Sequence, residues 1–157
     1  MPILIEDVLT QEENKIITDF FHNNPGVGWL DATLDNVSFD EFPLRKIIDI
    51  ARNHFDLSAM VGCECWAHFN TRPPWHIDQD ELLFNETGVV KNPICSIVYY
   101  AKIRQMQGGK FLTDKEKIQP VENGLLLFEP GLRHAVEDFR GERIAIAINP
   151  WNYKIKL

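Results

Sequence analysis

The sequence lacks long apolar runs and has little cysteine. No stretch approaches the roughly 20 apolar residues of a membrane-spanning helix, so no transmembrane segment is expected. The chain reaches an acidic residue, Glu6, too early for a secretory leader. The three cysteines are too few, and odd in number, for a disulfide framework. Together these absences predict a cytoplasmic protein in a reducing compartment.

Positive charge is also scarce. The 157 residues include 16 Lys and Arg against 23 Asp and Glu, a formal net charge of −7. Because phosphate binding depends on lysine and arginine, this balance disfavours a nucleic-acid partner. The length fits one domain, and a hydrophobic content of 45% is ordinary for a globular protein. We therefore expect a single domain over residues 1–157.

The first 58 residues are predicted to be mainly helical. Thr10 and Glu13 fit a capping box, and apolar residues then recur at helical spacing. Asn23–Gly26 is expected to end this helix. A second helix is predicted from about Asp40 to Phe55. We expect this segment to support the rest of the domain.

Residues 59–157 are predicted to form a β-rich core. Short apolar or alternating runs separated by turn residues lie at 61–70, 94–101, 110–113, 117–121, 124–128, 134–136 and 143–148. Many short strands at regular spacing indicate a sandwich or a small barrel. Residues 79–92 have no clear period and are a candidate lid.

His76 and Asp78 are candidate metal ligands. In a strand, residues two apart point to the same face, so this imidazole and this carboxylate can reach one ion. The pair alone is weak evidence, because His54 and Asp56 form a second one. That second pair falls at the end of a predicted helix, where its members diverge by about 200°. We interpret His54 as structural.

His134 supplies a third candidate ligand, and Arg143 makes it informative. Two imidazoles and one carboxylate are the ligand set of a non-haem iron(II) site with open positions. If the chain turns near residues 138–141, His134 and Arg143 lie on adjacent antiparallel strands. Arg143 begins an apolar strand. Because a buried guanidinium needs an anionic partner, we expect it to bind a carboxylate through two parallel hydrogen bonds. The alternative is a salt bridge to Glu137 or Glu142.

These residues belong to a pattern that resembles the iron(II)/2-oxoglutarate-dependent oxygenase superfamily, and within it the prolyl-hydroxylase-like branch. Four pieces match in order: His76-x-Asp78, the run 96–101, Gly108-Gly109, and His134 followed nine residues later by Arg143-x-Ala145. The resemblance covers residues 60 to 151. It implies a mainly β protein with a double-stranded β-helix, a jelly-roll barrel of the cupin type, braced by N-terminal helices.

The resemblance also implies the roles of six residues. His76, Asp78 and His134 would be the catalytic ligands of iron(II). The co-substrate 2-oxoglutarate would be held by Arg143, Tyr100 and Ser96, with Arg143 on its distal carboxylate. With dioxygen, such a site would release succinate and carbon dioxide and hydroxylate a peptidyl (prolyl-type) or small-molecule substrate.

Three further features have competing interpretations. Cys63 and Cys65, with His68, could hold zinc, but a single CxC lacks the usual second pair, and we interpret the cysteines as core thiols. Trp66 stands where a relative often has a tyrosine, and its indole has no acceptor oxygen. Trp75 precedes a candidate ligand and is the aromatic residue best placed to border the site.

Two alternatives to a hydroxylase stay open. One is a non-catalytic barrel that binds a metal or a 2-oxo acid as a sensor. The other is a nucleic-acid demethylase of the same superfamily, which the acidic composition disfavours.

Overall fold

A computed structural model of the chain describes residues 1–32 and 43–157. Within these ranges there are three helices, α1 (Gln11–Asn23), α2 (Leu44–Ala51) and α3 (Glu81–Thr87). The strands are β1 (Ile3–Ile5), β2 (Gly28–Asp31), β3 (Gly62–Phe69), β4 (Ser96–Gly108), β5 (Phe111–Thr113), β6 (Lys117–Ile118), β7 (Gly124–Phe128), β8 (His134–Val136) and β9 (Phe139–Trp151).

The strands form two antiparallel sheets. The larger sheet has the order β1-β7-β4-β9-β3-β2, and the smaller has the order β6-β5-β8. The expectation of a mainly β fold made of many short strands is confirmed. Two strands are longer than expected: β4 and β9 each have 13 residues, and they pair with each other along most of their length.

The larger sheet is buried on both faces. Its inner face packs against the smaller sheet, where Phe128 of β7 and Phe111 of β5 have ring centroids 5.0 Å apart. Its outer face packs against α1 and α2 in one apolar cluster that includes Ile17, Ile47 and Ile97. Burial on both faces explains why β7 is a continuous apolar run, since a half-buried strand would alternate.

The N-terminal helices follow their local signals. In α1 the Thr10 hydroxyl accepts a hydrogen bond from the Glu13 backbone N–H at 3.1 Å, and the Glu13 carboxylate accepts one from the Thr10 N–H at 2.9 Å. The predicted capping box is therefore confirmed. The second helix is shorter than predicted, and its expected start at residues 40–42 lies outside the described ranges. No helix in those ranges is long and apolar enough to cross a membrane.

Two parts of the chain differ from the predicted elements. The N-terminal segment contributes β1 and β2 to the two edges of the larger sheet. These strands have three and four residues, too few for a recognisable period. The candidate lid contains α3. Its N-cap is Asp80, whose carboxylate accepts a hydrogen bond from the Leu83 N–H at 3.1 Å. Seven residues give only two turns, so no helical period is visible in the sequence.

A bulge shapes the hairpin that carries Arg143. The pairing of β4 with β9 shifts between Arg104 and Gln107. Opposite this shift, Gly141 has φ +101°, and a Cβ there would lie 2.3 Å from the Gln105 carbonyl oxygen. The close approach of the two backbones therefore requires glycine at this position.

We predict that Gly141→Ala lowers the free energy of unfolding by about 3 kcal/mol, because it adds a backbone clash to an unfavourable φ. Gly26→Ala is the matched control, since Gly26 also has a positive φ, +88°, but nothing lies within 4 Å of its Cβ position. The control should lose only about 1 kcal/mol. Urea unfolding measures both, and equal losses would show that the close approach is absent.

Candidate metal centre

A pair of backbone hydrogen bonds joins the two candidate histidine ligands. The His76 N–H donates to the His134 carbonyl at 3.0 Å, and the His134 N–H donates to the His76 carbonyl at 2.9 Å. His134 lies on β8 of the smaller sheet, whereas His76 lies in an isolated bridge outside the named strands. The two imidazole rings consequently lie side by side, with centroids 4.3 Å apart.

Asp78 completes a three-residue group. One possible ligand atom from each of His76, Asp78 and His134 lies within 4.8 Å of the others. Asp78 Oδ1 is 3.3 Å from His76 Nε2 and 3.7 Å from His134 Nε2. Ligands about 2.1 Å from one ion and at right angles lie about 3 Å apart, so small shifts of the side chains bring all three onto one metal. The donor set fits a divalent transition metal with open positions.

Hydrogen bonds orient all three ligands. His76 Nδ1 lies 2.6 Å from the Pro74 carbonyl oxygen, and His134 Nδ1 lies 2.8 Å from the Leu132 carbonyl oxygen. A carbonyl only accepts, so each Nδ1 carries the proton and each Nε2 presents its lone pair to the site. The Ser96 hydroxyl donates to Asp78 Oδ2 at 2.6 Å, which leaves Oδ1 for a metal.

The three residues shift one another's pKa values. Burial opposes ionisation of Asp78, but hydrogen bonds from His76 and Ser96 help to keep its pKa below the usual value. The hydrogen bond to Asp78 raises the pKa of His76, so a metal ion bound at Nε2 would replace a proton there. Burial lowers the pKa of His134, which favours the neutral imidazole that can coordinate a metal.

Arg143 lies buried on the inner face of β9, and no acidic residue of 1–32 or 43–157 pairs with it. It is 3% exposed, and its Nε has no hydrogen-bond partner among the described residues. One guanidinium nitrogen lies 3.5 Å from the Thr71 carbonyl oxygen, and the guanidinium carbon lies 5.6 Å from the centroid of the Tyr100 ring. Burial raises the pKa of Tyr100 to about 12, so its hydroxyl is a proton donor.

The alternative partners of Arg143 are engaged elsewhere. Glu142 pairs with Lys102 at 2.6 Å, and Glu137 lies 4.0 Å from Lys117. The predicted placement of His134 and Arg143 on adjacent strands is wrong, because β8 pairs with β5 while β9 pairs with β4 and β3. The chain crosses from one sheet to the other after Val136. The two residues therefore lie on different sheets, with one cavity between them.

This cavity is lined by both sheets. Its walls include the metal-binding group, Arg143 and Tyr100, together with Phe111, Phe128, Val98 and Val136. Phe111 and Phe128 pack on the His134 ring, with centroid distances of 5.3 and 4.8 Å. The free volume is about 40 Å³. Pockets for small molecules usually have about 300–1,000 Å³, so binding of a dicarboxylate requires movement of the lining side chains.

The other residues that the sequence analysis singled out lie in the core, on the wall of the cavity or at the surface. Cys63 and Cys65 are buried in the core on the outer face of β3, whereas His68 lines the cavity on the inner face, so the zinc alternative is wrong. Trp66 donates its indole N–H to His68 Nε2 at 3.0 Å. Trp75 is 42% exposed, and the guanidinium carbon of Arg133 lies 4.4 Å from the centroid of its ring.

Ser96, His68, Glu64 and Asn149 lie on the cavity side of the larger sheet. The structure places Ser96 against Asp78, so its assignment to the co-substrate stays a prediction. Glu64 and Asn149 were not predicted as site residues, and His68 was considered only as a zinc ligand, although His68 and Asn149 line the cavity. Alternation along β3 and β9 would have indicated them, because they have the parity of Trp66 and Arg143.

Solved structures with the same fold include oxygenases. A prolyl-4-hydroxylase from Pseudomonas putida has a TM-score of 0.64 and 15% identity, over 98% of this chain and 93% of that one. A prolyl hydroxylase from Trichoplax adhaerens, in complex with a hypoxia-inducible-factor peptide fragment, has a TM-score of 0.59 and 13% identity, over 96% and 83%. A 2-oxoglutarate–iron(II) oxygenase family oxidoreductase from Burkholderia pseudomallei has a TM-score of 0.58 and 13% identity, over 98% and 86%.

The fold of this chain is therefore that of the prolyl-hydroxylase-like 2-oxoglutarate oxygenases, as the sequence resemblance implied. No protein-family model and no curated protein matches the sequence. The identities of 13–15% carry the fold alone.

We predict that Ser96→Ala weakens metal binding by about 10- to 100-fold, because Asp78 loses the donor that fixes its orientation. Ser58→Ala, which removes an exposed hydroxyl elsewhere, is the control and should bind metal as the parent does. Anaerobic calorimetric titration with iron(II) measures both. Unchanged affinity in Ser96→Ala would show that this hydroxyl does not position a ligand.

Proposed function

We propose that the chain is an iron(II)- and 2-oxoglutarate-dependent dioxygenase that hydroxylates a peptidyl or small-molecule substrate. One observation carries the proposal: a two-histidine, one-aspartate group lines the same cavity as a buried arginine that has no acidic partner among the described residues. A metal site alone would not need Arg143, and a purely structural arginine would have an anion or a full set of acceptors. The fold shared with known oxygenases supports the same conclusion.

In this proposal His76, Asp78 and His134 hold the iron through Nε2, Oδ1 and Nε2. Ser96 and the carbonyls of Pro74 and Leu132 fix the orientations of those side chains. Iron(II) with 2-oxoglutarate and dioxygen supplies the oxidising chemistry, which yields succinate, carbon dioxide and a hydroxylated substrate.

Arg143 and Tyr100 would bind the distal carboxylate of 2-oxoglutarate. The guanidinium offers two parallel donors, and its uncompensated charge favours a dianion over a neutral ligand. The high pKa of Tyr100 keeps its hydroxyl protonated, so it can donate a further hydrogen bond. Phe111, Phe128 and Val136 surround the site with apolar groups and exclude water from it.

The finer assignments belong to the same proposal. A single oxygenase domain would span residues 1–157, with residues 1–58 in support of the β core. A peptidyl substrate is supported by the peptide fragment bound to the Trichoplax prolyl hydroxylase.

We predict that His76→Ala lowers succinate formation at least about 100-fold, because the metal loses one of three protein ligands. The assay reconstitutes the protein with iron(II) and 2-oxoglutarate without oxygen, admits oxygen and measures succinate. His54→Ala, which changes an exposed histidine after α2, is the control. Tight binding of 2-oxoglutarate with no succinate from the parent, even with peptide and small-molecule panels, would indicate a sensor instead.

We predict opposite effects of Arg143→Met on binding and stability. The affinity for 2-oxoglutarate should fall about 10- to 100-fold, because the bidentate ion pair is lost, while iron(II) affinity stays within about twofold. The metal-free protein should unfold at the same or a higher denaturant concentration, because an uncompensated buried charge is removed. Calorimetry and urea unfolding measure these quantities. A variant that loses both ligands equally, or unfolds more easily, contradicts the assigned role.

A further inference from the structure

A row of side chains crosses the inner face of the larger sheet beside the metal centre. Glu64 of β3 pairs directly with Asn149 of β9 and with Trp29 of β2. The register of β4 and β9 places Ser96 beside Asn149. Directly opposed residues share a face, so Glu64 lies on the cavity side of the sheet, two strand spacings, about 10 Å, from the serine that holds Asp78.

Three of the four tryptophans of the chain lie at positions next to Glu64. Trp29 is its directly opposed residue on β2, and Trp66 follows two residues later on the same face. The Trp151 indole N–H donates to Glu64 Oε1 at 3.4 Å. The Trp29 ring occupies the space over Gly62, where a Cβ would lie 2.3 Å from its Cζ2. Glu64 therefore has one indole as a hydrogen-bond donor and two more at neighbouring positions on its face of the sheet.

Glu64 has no cationic partner among the described residues. Its hydrogen bonds come from Trp151 and Asn149, both neutral donors. Burial raises the pKa of Glu64 to about 7, and the charges of Asp78 and Asp80 act in the same direction, whereas the hydrogen bonds from Trp151 and Asn149 act against it. A half-buried carboxylate of this kind is stabilised by a cation in contact with it. Arg143 does not supply that cation, because no ion pair joins the two residues.

Carboxylates combined with aromatic faces recognise ammonium and guanidinium groups. We propose that Glu64, Trp29, Trp66 and Trp151 form a subsite for a cationic group of the substrate, at the side of the metal centre away from Arg143. This inference rests on the proposed function and narrows its substrate class to basic molecules. The cationic group would belong to a free basic amino acid or to a lysine or arginine within a peptide.

The positions of Arg143 and Glu64 along the sheet support separate sites for the co-substrate and the cationic group. Along β9, Arg143 and Asn149 are six residues apart on one face, with the small side chains of Ala145 and Ala147 between them. Arg143 at one end presents a positive charge to the co-substrate. Glu64 beside Asn149 at the other end presents a negative charge, so the two ends select ligands of opposite sign.

The test is a binding experiment that needs no turnover. Protein loaded with zinc(II) is titrated with L-arginine, L-lysine and terminally blocked peptides containing one internal arginine or lysine. L-citrulline, L-norleucine and peptides containing those residues are the neutral counterparts. Tryptophan fluorescence is the readout, with calorimetry as a second measurement. In at least one of the two sets, the free amino acids or the blocked peptides, we expect the cationic ligands to bind on the order of tenfold more tightly than their neutral counterparts.

Variants locate the site. Glu64→Gln has nearly the same shape and should remove the preference for cations while leaving affinity for neutral ligands within about twofold. Glu12→Gln makes the same change of charge on the exposed surface of α1 and should keep the preference. Trp66→Leu should weaken cation binding several-fold, and Trp66→Phe, which retains an aromatic face, should weaken it less.

The outcomes separate this inference from the proposed function. A preference for free amino acids identifies a small-molecule substrate, and a preference for the blocked peptides identifies a peptidyl one; both support the subsite. No preference for cations, or a preference that Glu64→Gln retains, overturns the subsite even if succinate is formed. Preference dependent on Glu64 in a protein that forms no succinate supports the subsite and overturns the oxygenase.

Discussion

The uncompensated charge of Arg143 is the constraint on which the rest of the site depends. A guanidinium that is 3% exposed, and whose Nε finds no hydrogen-bond partner in the described part of the chain, costs the folded chain free energy. The nearby acids do not offset this cost, because Glu137 and Glu142 pair with lysines. The cost is offset when an anion enters the cavity. The fold thus retains a destabilising charge at the place where a dicarboxylate co-substrate would bind.

The metal centre depends on a second constraint, the bridge between His76 and His134. Two backbone hydrogen bonds fix the spacing of the rings, while side-chain hydrogen bonds to local carbonyls fix their orientation. Asp78 is placed by Ser96 from the opposite sheet. The backbone bridge and these side-chain hydrogen bonds together hold the three residues in one group.

Much of the fold was predictable, because local signals and tertiary structure agree. The capping box of α1, the apolar run of β7 and the β8 segment all appear where the sequence indicated. The failures have physical reasons. β1 and β2 are too short for a period and gain their structure from partners far along the chain. α3 has two turns and is fixed by the Asp80 cap and by a bond from the Tyr153 hydroxyl to Asp80 at 2.8 Å.

The candidate site was also predictable only in part. The sequence indicated the three ligand residues and Arg143 by type and spacing, and the structure brings all four to one cavity. It did not indicate that His134 and Arg143 lie on different sheets, because the crossing after β8 depends on pairing with β5 and β4. Nor did it indicate Glu64, whose surroundings come from tryptophans separated by up to 122 positions, from Trp29 to Trp151.

Coupling between iron(II) binding and 2-oxoglutarate binding would show whether one 2-oxo acid contacts both the metal and Arg143. If it does, each ligand must strengthen binding of the other. Anaerobic calorimetry would measure 2-oxoglutarate affinity with and without iron(II). We expect an affinity at least about tenfold higher with iron(II). Equal affinity in both conditions, in protein that does bind iron(II), would mean that the two ligands do not share one site.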